Sequence, residues 1–371
     1  MSNVCRDLRL YLRLLHLLGL MCWHFDPDGC QLVSTPQKER YALVYAVFIL
    51  ATATACFTFA HLQPDRFHIP VYNRTGNFYE SVIFRSTCLV VMLLYVILYV
   101  RRHRHRQLVQ HLLRLNRRCV DRSTDRQFLN NLILYGVLSA VCFGNYLYGY
   151  SRAGLAAIPL ALSMVVHIYA YLVLCLLLVF FVCLKQIMAA GLAYYNRQLG
   201  QGELVAGLQG RQQILAVCGG ELNECFGLLM LPIVALVLLM APSGPFYLIS
   251  TVLEDMFAPN EWLTMLLISS TWDTPWMIML VLMLRTNGIT VEANKTAKIL
   301  AKVPRTGTGL DRMIEKFLLK NLRQQPILTA YGFFALDKST LFKLFTAIFT
   351  YMVILVQFKE MEITTKTTNK F

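Results

Sequence analysis

The residues with most chemical potential in this chain are polar groups set inside apolar runs, and the chemistry they suit is contact with ions and ligands. In the segment 350–358, which reads TYMVILVQF, Thr350 and Gln357 lie seven apart and share one helix face. Tyr351 and Phe358 repeat that spacing one step round, and Thr346 and Ile354 extend the stripe. A polar line along an apolar helix predicts the wall of a wet passage. Taken alone, the same residues also fit an interfacial amide at a helix end and a hydroxyl bonded back to its own helix.

The second constellation is Ser269-Ser270-Thr271-Trp272-Asp273-Thr274-Pro275-Trp276. A carboxylate at the centre of a membrane helix costs about 2.5–3.5 kcal/mol, so Asp273 predicts a partner or a wet cavity. Pro275 should kink the helix and free a carbonyl. Bond-making chemistry is not indicated. The chain holds no phosphate-binding glycine loop, no G-x-S-x-G elbow, no H-E-x-x-H helix and no paired Cys-x-x-Cys site. An intramembrane aspartyl protease would need a second carboxylate at the depth of Asp273, and Asp337 falls at the edge of another span. Neither a catalytic residue, a cofactor nor a metal site is expected.

Hydrophobic residues make up 56% of the 371 and charged residues 15%, a membrane composition. A hydrocarbon core about 30 Å thick takes about 20 apolar residues per helix. Such windows occur at 41–60, 78–100, 132–150, 155–184, 226–253, 262–284 and 340–358. The fold class predicted is therefore all-α, a polytopic protein with seven transmembrane helices. Of the 35 Lys and Arg, 27 lie in the N-terminal segment and even-numbered connections, and 6 in the odd-numbered connections and tail. Basic loops stay cytoplasmic, which predicts a cytoplasmic N-terminus and an extracellular C-terminus. Spread this way, the net charge of +14 does not suggest nucleic acid. The run from Arg101 to Arg106 then meets anionic lipid at the inner leaflet, each basic side chain gaining about 1 kcal/mol.

That topology puts the sequon Asn73-Arg74-Thr75 outside, where Asn73 can carry a glycan, and Asn294-Lys295-Thr296 inside. None of the 11 cysteines falls in an external loop, so no disulfide framework is expected. The domains read as a cytoplasmic segment 1–40, a six-helix bundle 41–284, a cytoplasmic segment 285–339, the last helix 340–358 and an extracellular tail 359–371. Within the first, Leu8 to Phe25 reads as an interfacial amphipathic helix rather than a cleaved signal. The cytoplasmic connections continue as helices: Leu108, Leu112, Leu115 and Cys119 share a face, and 292–300 and 311–322 are patterned likewise.

The outer halves of the spans gather Asn145, Tyr146 and Tyr148, then His167, Tyr247, Ser269, Ser270, Trp272 and Asp273. Aromatic walls with a few polar groups suit a pocket for a small organic molecule. An interfacial aromatic belt competes for Tyr148, and a satisfied helix–helix hydrogen bond for His167. Glu80 and Arg85 are expected to snorkel from the outer end of the second span.

The motif T-Y, five hydrophobic residues, then Q-F near the C-terminus resembles the signature of insect gustatory receptors. Thr329 to Asp337, TAYGFFALD, resembles that family's approach to the last span, and Glu221 to Gly227 and Glu292 to Leu300 match more loosely. The resemblance implies a ligand-gated, non-selective cation channel: a tetramer with one last helix per subunit around the path, an outer ligand pocket and a cytoplasmic anchor. On it, Gln357 and Phe358 form the narrow outer pore and gate, with Tyr351 and Thr350 packing or lining below. The stripe agrees, since one helix cannot enclose water and Thr346, Thr350, Ile354 and Gln357 line a path only as symmetric copies. Glu360 and Glu362 would follow at the mouth, where they could attract cations. The partners implied are a small-molecule tastant, membrane lipid and further copies or related subunits, in the plasma membrane of chemosensory dendrites. No residues match the sugar or carbon-dioxide branches, which points to a bitter or divergent member. A seven-helix receptor coupled to G proteins would need an external N-terminus, against the charge asymmetry; a transporter is the third reading.

Overall fold

The computed structural model describes residues 3–26, 31–67, 74–118, 123–152, 157–253, 274–284, 288–302, 312, 314–315 and 328–368. Lipid offers backbone groups no hydrogen bonds, so spanning segments must satisfy their own, and the described residues are helical almost throughout. The short helix α1 (Asn3–Leu17) leads into an antiparallel hairpin of β1 (His24–Asp26) and β2 (Gln31–Val33). Then follow α2 (Pro36–Leu62), α3 (Arg74–Val100), α4 (Arg102–Arg118), α5 (Ser123–Arg152) and α6 (Ala157–Gly200). Pro36 opens α2 where its missing N–H removes no helical bond. Next, α7 (Leu204–Ala216) runs through a π-helical turn, Val217–Leu222, into α8 (Asn223–Met240). Last come α9 (Ser243–Leu253), α10 (residues 274–284), α11 (Gly288–Leu300) and α12 (Lys338–Thr368).

Six helices among the described residues are long and apolar enough to cross a membrane, and α5 adds the shorter apolar stretch Leu129–Asn145. The expected all-helical, multi-pass architecture is therefore present. Two boundaries differ from the reading of the sequence. The span 155–184 belongs to a 44-residue helix that continues to Gly200, because apolar residues persist past the membrane length and pack against α7 and α11. The span 226–253 is two helices, α8 and α9, parted at Ala241-Pro242, where proline has no N–H to continue the ladder. Residues 262–273 of the sixth window lie outside the described residues.

The core is α6. Val173 to Leu178 are all at most 1% exposed, and Phe180 and Phe181 meet Phe226 of α8. A helix apolar all round is stable only when surrounded. Around it sit α3, α4, α5, α7 and α11. The amphipathic α1 buries Tyr11, Leu12 and Leu15 and packs on α5 and α6, so its apolar stripe serves the bundle. The last helix, α12, stands at the periphery against α3, α8 and α9.

Candidate functional site

The carboxylate of Asp337 accepts a hydrogen bond from the Thr340 backbone N–H at 2.8 Å, capping the start of α12. Toward the bundle the helix turns Leu341, Leu344, Ile348, Leu355 and Lys359, of which Ile348, Leu355 and Lys359 are buried. At about 100° per residue, Thr346, Thr350 and Gln357 lie roughly 180–220° round from Leu355. All three are exposed, as are Ile354 and Phe358. The Thr346 hydroxyl donates to the Phe342 carbonyl at 3.1 Å and the Thr350 hydroxyl to the Thr346 carbonyl at 2.9 Å. Each hydroxyl proton is thus satisfied within the helix while an oxygen lone pair still faces outward. Tyr351 turns back toward the bundle, its ring 6.4 Å from that of Tyr79 on α3.

The amino end of α12 is held by the two segments whose residues carry the family resemblance. Asn223, at the start of α8, donates to the Thr329 hydroxyl at 3.0 Å and accepts from the Thr329 backbone N–H at 2.9 Å. Gly227 lies so close to the chain beyond Thr329 that a Cβ would come within 2.6 Å of the Tyr331 nitrogen and 2.9 Å of the Thr329 oxygen. Arg101 donates to the Glu224 carbonyl at 2.5 Å and covers the Tyr331 ring at 5.4 Å, while Arg104 pairs with the Glu224 carboxylate at 2.8 Å. The carboxyl end is held differently. One carboxylate, Glu362, accepts from the Arg74 and Thr75 backbone N–H groups at 3.1 and 3.2 Å and from the Thr75 hydroxyl at 2.7 Å. These are the unpaired donors at the N-terminus of α3, where negative charge is favoured. Glu362, expected at an ion-attracting mouth, is engaged with the start of α3 in its own chain, and Glu360 is exposed.

Of the ligand candidates, His167 and Tyr247 come to one stripe of α3. The Tyr247 hydroxyl donates to Glu80 at 2.7 Å, and the His167 ring meets Phe84 edge-on at 5.8 Å, one helical turn along. His167 is buried, its Nδ1 bonded to the Ser163 carbonyl at 2.8 Å, so it serves its own helix. Glu80 is half-buried against Tyr247 rather than snorkelling, and Arg85 donates to the Ala60 carbonyl at 3.2 Å. Asn145, Tyr146 and Tyr148 lie on α5, with Asn145 half-buried and Tyr148 exposed. Ser269, Ser270, Trp272, Asp273 and the sequon residue Asn73 lie outside the described residues. Reading the sequence missed Tyr79 and Phe84; the charges of Glu80 and Arg85 inside an apolar span signalled that stretch of α3.

Below α6 a polar network joins three helices. Asn196 donates to the Glu292 carbonyl at 2.8 Å, Thr296 donates to Asn196 at 2.5 Å, and the buried Arg211 reaches Thr296 at 3.0 Å. On α4, His105 is buried with its ring edge-on to Phe226 at 5.4 Å. Burial, with the Arg101 charge beside it, lowers its pKa to about 4.

A family model described as 7tm Chemosensory receptor matches residues 8–362. Gustatory and pheromone receptor 39a, isoform A, of Drosophila melanogaster is 76% identical over 371 residues, covering 100% of both chains. Isoform D of that receptor is 44% identical over 379 residues, covering 100% of this chain and 99% of its own. The solved structure of the insect olfactory receptor OR5 from Machilis hrabei in complex with eugenol superposes with a TM-score of 0.71 at 10% identity, over 95% of this chain and 98% of that one. At that identity the likeness speaks to the fold alone.

Proposed function

The chain belongs to the 7tm chemosensory receptor family as an insect gustatory receptor, and from that premise we propose that it is a tastant-gated, non-selective cation channel of four subunits. Its N-terminus and the 285–339 anchor are cytoplasmic, its C-terminus and a glycan on Asn73 extracellular. The observation that carries this reading is α12: a spanning helix with Thr346, Thr350 and Gln357 opposite its bundle-facing side, and only 11% of its apolar window buried. Polar groups on the free side of a membrane helix call for a wet partner, and fourfold repetition about one axis supplies it. Gln357 and Phe358 form the narrow part, with Ile354, Thr350 and Thr346 below and Tyr351 packed against the wall.

The ligand is a small organic cue. Its named relatives are gustatory and pheromone receptors, which supports a compound sensed by contact. It binds among the outer halves of the spans, with Asn145, Tyr146, Tyr148, Tyr247, Ser269, Ser270, Trp272 and Asp273 as candidate contacts and His167 behind them. Gating follows from tighter binding to the open arrangement than to the closed one.

The test is current recorded from cells expressing the chain alone against a panel of small organic tastants, with cation reversal potentials for wild type and Gln357→Glu. The expected result is a ligand-evoked cation current whose selectivity shifts in the variant. Evoked current with selectivity and conductance untouched would remove Gln357 from the lining.

A further inference from the structure

Resting on that reading, we propose that α12 is held by two unequal clasps, and that Glu362 on the N-terminus of α3 is the releasable one, which keeps the outer end of the pore helix drawn back from the shared axis. The inner clasp is built to stay. It joins backbone to backbone at Gly227 and Tyr331, adds Asn223 on Thr329, and is backed by Arg101 over Tyr331. At the outer clasp one side chain gathers the hydrogen bonds to α3. Glu362 makes three hydrogen bonds to Arg74 and Thr75, and all three are lost together if one carboxylate moves away.

Two faces of α3 connect this clasp to the candidate pocket. Thr75 and Tyr79, four apart, meet Glu362 and Tyr351 of α12. Glu80 and Phe84, also four apart, meet Tyr247 and His167. At about 100° per residue the second pair lies roughly 140° round from the first, so the outer turns of α3 touch the pore helix on one side and the pocket candidates on the other. A shift of α3 driven by ligand that brings these donors onto Glu362 would therefore strengthen the grip and favour the open arrangement. While gripped, the outer end of α12 stays on its own bundle and Gln357 stays open to water; released, the four ends are free to close through Phe358.

The test places Gln357→Cys in the receptor and measures how fast a positively charged thiol reagent, applied outside intact cells without tastant, modifies it. Adding Glu362→Ala should slow modification about five- to tenfold, the scale of the net worth of one hydrogen bond. Glu362→Gln, which keeps the shape and one acceptor, should fall between, and Thr365→Ala, on the same exposed end of the helix, should leave the rate unchanged. Surface labelling normalises each variant for folding, and Glu362→Gln carries the test if the alanine variant is not displayed. An unchanged or faster rate in the Glu362 variants overturns the clasp. If the thiol introduced by Gln357→Cys alone reacts with a membrane-permeant maleimide and never with the charged reagent, that position faces lipid, and the channel reading falls together with the clasp.

Discussion

Two spanning helices of this protein, α6 and α12, are both long and apolar, yet 72% of the apolar window of α6 is buried against 11% for α12. Their free energies of transfer into lipid are therefore both favourable, and membrane insertion does not tell them apart. The difference lies round the circumference. The middle of α6, Val173 to Leu178, is buried on every side, whereas α12 packs one stripe on the bundle and leaves Thr346, Thr350 and Gln357 facing away. One helix is committed within the subunit. The other packs only one stripe on the bundle and leaves its far face open, as the proposed path along a shared axis would use.

The comparison breaks most visibly under truncation. Phe180→Ala in α6 should cost about 3–5 kcal/mol and remove most receptor from the surface, while Phe349→Ala on the exposed side of α12 should cost under about 1 kcal/mol. Surface labelling and thermal stability in detergent compare the pair, and equal losses would mean the two helices are equally packed. The α6 core reaches His105 through Phe226, and there acid should act. The folded pKa of His105 is about 4 against an ordinary 6.5, so the unfolded chain binds the extra proton and stability falls as pH drops from 6.5 toward 4. The full interval is worth roughly 3 kcal/mol, and His105→Leu should flatten the melting curve over that window.

The inner anchorage of α12 sharpens the contrast further. Gly227→Ala forces a Cβ onto the backbone at Tyr331 and Thr329 and should cost about 1–3 kcal/mol, with altered gating. Gly136→Ala, with nothing within 4 Å of the new Cβ, should be neutral or stabilise α5 by about 0.5–1 kcal/mol. A smaller loss at Gly227 than at Gly136 would show that the clasp yields. Least is expected from the exposed Arg104–Glu224 pair: a double-mutant cycle should return under about 1 kcal/mol, diminishing with salt.

Much of this was legible in the chain. The spans followed from apolar windows and the α12 stripe from Thr346, Thr350 and Gln357 at helical spacing. The helix over Leu108 and Leu112 appeared with both residues buried on α4. Less legible were Glu80 and Glu362. Both are carboxylates in a helix, and sequence suggested a snorkelling side chain for one and an ion-facing one for the other. Their true partners, Tyr247 and the donors of Arg74 and Thr75, are 167 and 287 or more residues away in sequence, and no local pattern encodes such a pairing.

The sequence by itself determined that this protein is a multi-pass helical membrane protein, because transfer energy and helical period are properties of short stretches read one at a time. It also determined that the last helix carries a polar face. Only the tertiary structure decided which helix is the core, that α3 lies between α12 and the residues Tyr247 and His167, and that Gly227 and Glu362 hold α12 at its two ends. Those facts depend on which surfaces meet, and an apolar side chain has nearly the same free energy against lipid as against another helix, so hydropathy does not distinguish the two.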